Sequence, residues 1–175
     1  MIALRHISKY LFLYLAFIFI VSCTPVMNIK PQFVELENVS SVIHGKVHYD
    51  GNKEYIPRTV SNDDSSVSSI IIKYQYQVDY GNNNIHFANL YNPLLLVGFP
   101  IGQDTLVVAA KIDVIKHNEI AKSYSALCAF EKTRNLFYHG PSFSELRKTG
   151  LLNVRDNIEA QMYKDKEALL KIQMQ

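Results

Sequence analysis

Six histidines and two cysteines carry most of the reactive chemistry this 175-residue chain can offer. His44 and His48 stand four apart, a spacing that on a helix would bring both imidazoles to one face and let them share a metal ion. Their neighbours Val39, Val42, Ile43, Val47 and Tyr49 are β-like, with Gly45 between the pair. Along a strand the two lie about 13 Å apart, too far for one ion. His86, His117 and His139 are scattered, and turns or surface positions account for them. Cys128 would be a nucleophile only beside a base that lowers its pKa; placed between Ala126 and Phe130 it reads as a small buried hydrophobe. No Gly-x-Ser-x-Gly elbow, P-loop, dinucleotide fingerprint or His-Glu-x-x-His helix occurs. The expectation is therefore a non-enzymatic protein without cofactor or metal, since a hydrolase would need residues dispersed along the chain. The thiol with a distinctive setting is Cys23, which closes an unbroken apolar stretch.

Arg5 and Lys9 form a short basic region ahead of YLFLYLAFIFIV, Tyr10 to Val21. As a helix that stretch rises about 18 Å, well short of the roughly 30 Å a spanning helix must cross. Basic start, short apolar run and small-residue end read as a secretory signal peptide. Its last residues, Ile20-Val21-Ser22-Cys23, resemble the lipobox of bacterial lipoprotein precursors: an aliphatic residue three before the cysteine, a small or aliphatic one two before, and Gly, Ala or Ser just before. The resemblance covers residues 1–23. It implies that the Cys23 thiol receives a diacylglyceryl group, that cleavage precedes Cys23, and that the new amine is acylated, with palmitate as the usual label. Two or three chains would make attachment effectively permanent, where one gives only marginal binding. Thr24 stands where many lipoproteins kept in the inner membrane carry Asp, so the resemblance favours the outer membrane, facing the periplasm, in a Gram-negative source.

Composition agrees with a globular domain behind such a leader. The chain has 18 basic and 16 acidic residues and is 48% apolar. Arg5 and Lys9 belong to the leader, so the remaining 16 basic residues balance the 16 acidic ones. A neutral chain without basic runs is not a nucleic-acid binder. With Cys23 lipidated, Cys128 has no intrachain partner for a disulfide, and the fold must stand on its core.

The expected organisation is a signal peptide over residues 1–22, a lipidated cysteine and tether over 23–32, and one α+β domain over 33–175. TPVMNIKPQ, with Pro25 and Pro31, shows no clear period and reads as tether. SNDDSSVSS, Ser61 to Ser69, reads as a surface loop. In Ile70 to Tyr80, the residues Ile70, Ile72, Tyr74, Tyr76, Val78 and Tyr80 share one face at period two, and Lys73, Gln75, Gln77 and Asp79 share the other. Gly81-Asn82-Asn83-Asn84 reads as a turn, with Ile85 to Tyr91 returning as a partner strand. A second hairpin is expected from Thr105 to Phe130, turning at His117-Asn118-Glu119, with Leu106, Val108, Ala110, Ile112 and Val114 facing the side of Ile120, Tyr124, Ala126, Cys128 and Phe130. Ser142 and Glu145 have capping-box spacing. Leu146, Gly150, Val154, Ile158, Met162, Leu169 and Ile172 then follow a helical period. The predicted architecture is an antiparallel sheet covered by a long C-terminal helix.

Two surfaces are candidates for interaction. LLLVGFPIG, Leu94 to Gly102, is the most apolar stretch after the leader and offers Leu94, Leu95, Leu96, Val97 and Phe99 either to a core or to an interface. Tyr74 and Tyr76 could form an aromatic platform, although tyrosine also fills sheet faces. The expected function is that of a lipid-anchored cell-envelope accessory or assembly factor, held on the membrane by lipid and bound to an envelope protein. The alternative is a carrier holding a lipid or other apolar ligand between sheet and helix.

Overall fold

The computed structural model describes residues 25–34, 36–63, 69–83, 101–135, 137 and 139–174. Cys23, the run from Leu94 to Phe99 and the expected strand Ile85 to Tyr91 lie outside the described residues. In chain order the elements are β1 (Val26–Lys30), β2 (Ile43–His48), a 3-10 turn (Lys53–Tyr55), β3 (Val60–Asn62), β4 (Ile70–Asn83), β5 (Gly102–Lys116), β6 (Glu119–Arg134), α1 (Phe143–Lys164) and α2 (Lys166–Met174). The strands form one sheet in the order β1-β6-β5-β4-β2-β3. The fold class is α+β.

The sheet is mixed, not purely antiparallel: β2 runs parallel to both β3 and β4. Alternation in the sequence reports which face a residue takes and carries no direction. The chain between β2 and β3, with its 3-10 turn, is long enough to bring β3 back parallel. β1 was expected as tether; its backbone instead adds a marginal strand beside β6, where pairing needs no apolar period. The C-terminal helix is interrupted at Asp165, giving α1 and α2.

Contacts divide the chain into two compact units. In the larger, of residues 27–34, 36–63, 69–79, 106–129 and 143–174, Ile70, Ile72 and Tyr74 of β4 point inward, and so do Leu106, Val108, Ala110, Ile112 and Val114 of β5 and Tyr124, Ala126 and Cys128 of β6. Leu146, Leu151, Val154, Ile158 and Met162 of α1 and Leu169 of α2 are buried with them. Each fully buried aliphatic side chain of this kind is worth about 1.5–3 kcal/mol. Helix α1 is reached from both margins of the sheet. On the β1 side, Asn153 Nδ2 lies 3.5 Å from Met27 Sδ and Asn157 donates to the Pro31 carbonyl. On the β3 side, Thr59 Oγ1 lies 3.4 Å from Met162 Sδ, and Arg155 Nη1 donates to the Glu54 carbonyl at 2.9 Å.

The β5–β6 connection is a two-residue turn, with His117 at φ 51° and Asn118 at φ 65°, the left-handed pair of a type I′ hairpin. Glu119 therefore opens β6 rather than closing the turn. Ile120, expected among the inward residues, is 60% exposed at the hairpin tip.

In the smaller unit the inward chemistry changes. Asp104 of β5 and Lys132 of β6 are both buried, and Asp104 Oδ1 lies 3.1 Å from Arg134 Nε. Lys132 Nζ stands 3.8 Å from Asp104 Oδ2 and donates to the Pro141 carbonyl at 3.1 Å. Gly81, expected in a turn, is strand. A Cβ there would stand 2.1 Å from Thr105 Oγ1, so glycine is required by the closeness of β5 and not by a change of chain direction.

Candidate functional site

Of the residues singled out for interaction, Tyr74 and Tyr76 are described, and both belong to a cluster in the larger unit that forms where β2 ends. The Tyr74 ring is 2% exposed. Tyr49, the residue after β2, meets it edge-on, with centroids 5.1 Å apart and planes at 63°. Tyr76 is half-buried and tilted against Tyr49 at 6.3 Å. Such edge-to-face pairs contribute about 0.5–1.5 kcal/mol beyond the area they bury. From α1, the Arg147 guanidinium comes within 3.5 Å of the Tyr76 hydroxyl.

Among the described residues, the buried hydroxyls of Tyr49 and Tyr74 meet no hydrogen-bond partner. Burial pushes Tyr49 up to about 12, with Tyr76 and Tyr55 adding to the rise. Burial likewise raises Tyr74 above the ordinary phenol value, assisted by Tyr49 and opposed by the positive charge of Arg155. Both phenols stay protonated at any physiological pH; they can donate, and they cannot serve as bases. Gly51 lies over the Tyr49 hydroxyl so closely that a Cβ would stand 2.2 Å from it.

Tyr49 separates two grooves. One, of about 480 Å³, is lined by His48, Asp50 and Lys73 together with the three tyrosines and Gln75. The other, of about 370 Å³, runs past Lys53, Pro57 and Arg58. A third hollow, of about 640 Å³, lies over the outer face of the sheet, between Lys30, Gln77, Lys111 and Leu127. His44 and His48 are both exposed on β2, and among the described residues no group of three or more His, Cys, Asp or Glu side chains could hold a metal ion. Cys128 is buried in β6 with its thiol pushed up to about 11 by that burial.

Sequence reasoning found Tyr74 and Tyr76 through their alternation and missed Tyr49, whose contacts depend on where β2 stops. Arg155 is largely enclosed, 2.6 Å from Asp156 Oδ1.

No known protein family matches this chain, and no curated protein is significantly similar to it. Among the described residues no helix is long and apolar enough to cross a membrane.

Proposed function

We propose that this chain is a lipid-anchored envelope protein, attached through Cys23, whose folded part works by contact with other envelope components and not by catalysis. One observation carries the reading: the short apolar stretch after Arg5 and Lys9 ends in Ile20-Val21-Ser22-Cys23, with every position of the box filled by an accepted residue. Two structural features support the second half of the proposal. The tyrosine cluster offers protonated phenols and packing surface instead of a base or nucleophile. Between sheet and helix, Ile72, Leu106, Val108, Ile112, Cys128, Val154 and Ile158 are fully buried and occupy the layer that a carried lipid would need, which favours an interaction factor over a carrier. Thr24 after the cysteine favours the outer membrane.

The test is metabolic labelling with a palmitate analogue. Label should enter the chain and disappear in Cys23→Ala, with the protein leaving the membrane fraction. Label retained by Cys23→Ala would sink the anchor. In-cell crosslinking of the anchored chain should then capture envelope protein reproducibly.

A further inference from the structure

Between Cys23 and the folded chain there is almost no tether. Val26 already belongs to β1, beside β6 in the sheet, so the expected tether over 23–32 shrinks to Thr24 and Pro25. Three residues of fully extended chain span at most about 11 Å. The headgroup layer of one leaflet is itself about 5–8 Å thick, and a diacylglyceryl cysteine keeps its backbone at that level. With Cys23 so anchored, the start of β1 must lie in or against the membrane surface.

Val26 belongs to the smaller unit, whose described residues are 25–26, 80–83, 101–105, 130–135, 137 and 139–142. Charge in this unit is turned inward. Asp104 and Lys132 are buried, Arg134 meets Asp104, and the exposed carboxylate of Glu131 accepts a hydrogen bond from Gln103 Nε2 at 3.0 Å. Apolar surface is turned outward: Val26 is 65% exposed, Tyr80 54% and Phe137 72%. A third of the nine exposed large hydrophobic side chains among the described residues fall here, in less than a fifth of the described chain. Exposed hydrophobic residues scattered singly are ordinary. What sets these apart is an anchoring cysteine three residues from one of them. Tyrosine and phenylalanine settle at headgroup level, where a ring finds apolar surroundings and a hydroxyl stays wet, and little charge in this unit has to leave water for that contact.

We propose that the smaller unit rests on the bilayer, with Val26, Tyr80 and Phe137 in the headgroup layer. This seating rests on the Cys23 anchor proposed above and deepens it: the folded chain is seated on the membrane, not hung from it, and the partners within its reach are those at the membrane surface.

The test uses the full chain, purified from its native membrane and reconstituted in vesicles of phosphatidylethanolamine and phosphatidylglycerol, some of whose lipid carries a spin label near the headgroup. Cys23 is blocked by its thioether and Cys128 is buried, so a thiol-reactive, polarity-sensitive fluorophore enters at an introduced cysteine. At Tyr80→Cys and at Phe137→Cys its emission should shift to the blue. The spin label should quench it there at least about twice as strongly as at Ile120→Cys, which is 60% exposed on the β5–β6 hairpin of the larger unit. Phe137→Glu should cut the quenching at Tyr80→Cys about two- to fivefold, because a carboxylate resists leaving water. Equal quenching at the three sites, in chains that float with the vesicles, overturns the seating and leaves the anchor intact. So does shielding seen in native membranes but not in pure lipid, which would assign these side chains to a protein. A chain that carries no lipid and does not float with the vesicles overturns the anchor, and the seating with it.

Discussion

The Glu159 carboxylate, 1% exposed in the C-terminal third of α1, is held by Arg58 through three nitrogens. The Arg58 backbone N–H donates to Oε2 at 2.7 Å, Nη2 donates to Oε1 at 2.7 Å, and Nε lies 3.1 Å from Oε2. The pair fixes the chain ahead of β3 onto the helix.

Burial is unequal in this pair, since the Arg58 side chain is 47% exposed. Arg58→Met therefore strands a buried carboxylate on a backbone N–H and should cost about 3 kcal/mol. Glu159→Gln leaves an acceptor in place and an arginine able to turn to water, and should cost about 1 kcal/mol. Urea unfolding of both variants measures the difference; equal losses would mean that burial of the carboxylate is not what sets the cost.

The buried Tyr74 hydroxyl meets no partner among the described residues, and a buried donor left unsatisfied typically costs about 1–3 kcal/mol relative to an apolar group of the same shape. Tyr74→Phe keeps the edge-on contact with Tyr49 and removes the unsatisfied donor. It should leave thermal stability unchanged or higher, while Tyr74→Ala should lose about 3–5 kcal/mol. A Tyr74→Phe variant that unfolds more easily than the parent would show that the hydroxyl is bonded.

The inner face of β4 was legible in the sequence because Ile70, Ile72 and Tyr74 alternate with exposed Lys73 and Gln75, and period two is all that a half-buried strand requires. The hairpin of β5 and β6 was legible for the same reason. Strand direction was not: the alternation of Ile43–His48 and of residues 70–73 reads the same whether the two run parallel, as they do, or antiparallel. Glu159 stands close to Arg155 and Asp156 in the sequence, and nothing in its neighbours marks it as the buried one. Its partner lies 101 residues earlier, on a segment without a regular period. In the tyrosine cluster, Tyr74 and Tyr76 followed from alternation along one strand, whereas Tyr49 joins them only through a parallel pairing that no local signal announces.

Gly81 is a test of close strand approach. A methyl group there would stand 2.1 Å from Thr105 Oγ1 and 3.5 Å from Thr105 Cβ, so the clash is confined to one hydroxyl on a β-branched side chain with little rotamer freedom. Gly81→Ala should destabilise by about 1–2 kcal/mol. Thr105→Ala removes the offending oxygen, so Gly81→Ala combined with Thr105→Ala should recover most of the loss. Denaturant midpoints for the four chains complete the cycle; additive losses would exclude the clash as the cause.

Asp165, at the break between α1 and α2, accepts a charged hydrogen bond from Lys122 at 2.8 Å and lies 3.2 Å from the Tyr124 hydroxyl. The Lys122 hydrogen bond is the main cause holding this carboxyl below its ordinary value; burial, the next in size, opposes it, and the Lys122 charge and the Tyr124 hydroxyl add to the lowering. A carboxylate whose pKa is depressed by folding adds stability that is complete above its unfolded value, here 3.8, and is lost as pH falls through the folded value. With the side chain 39% exposed, solvent screening keeps the contribution below about 1 kcal/mol. The stability gap between the parent and Asp165→Asn should therefore stay constant from neutral pH down to about pH 5 and close below about pH 4. Paired urea titrations across that range measure it, and a gap that widens on acidification would mean that the carboxyl is favoured in its protonated form.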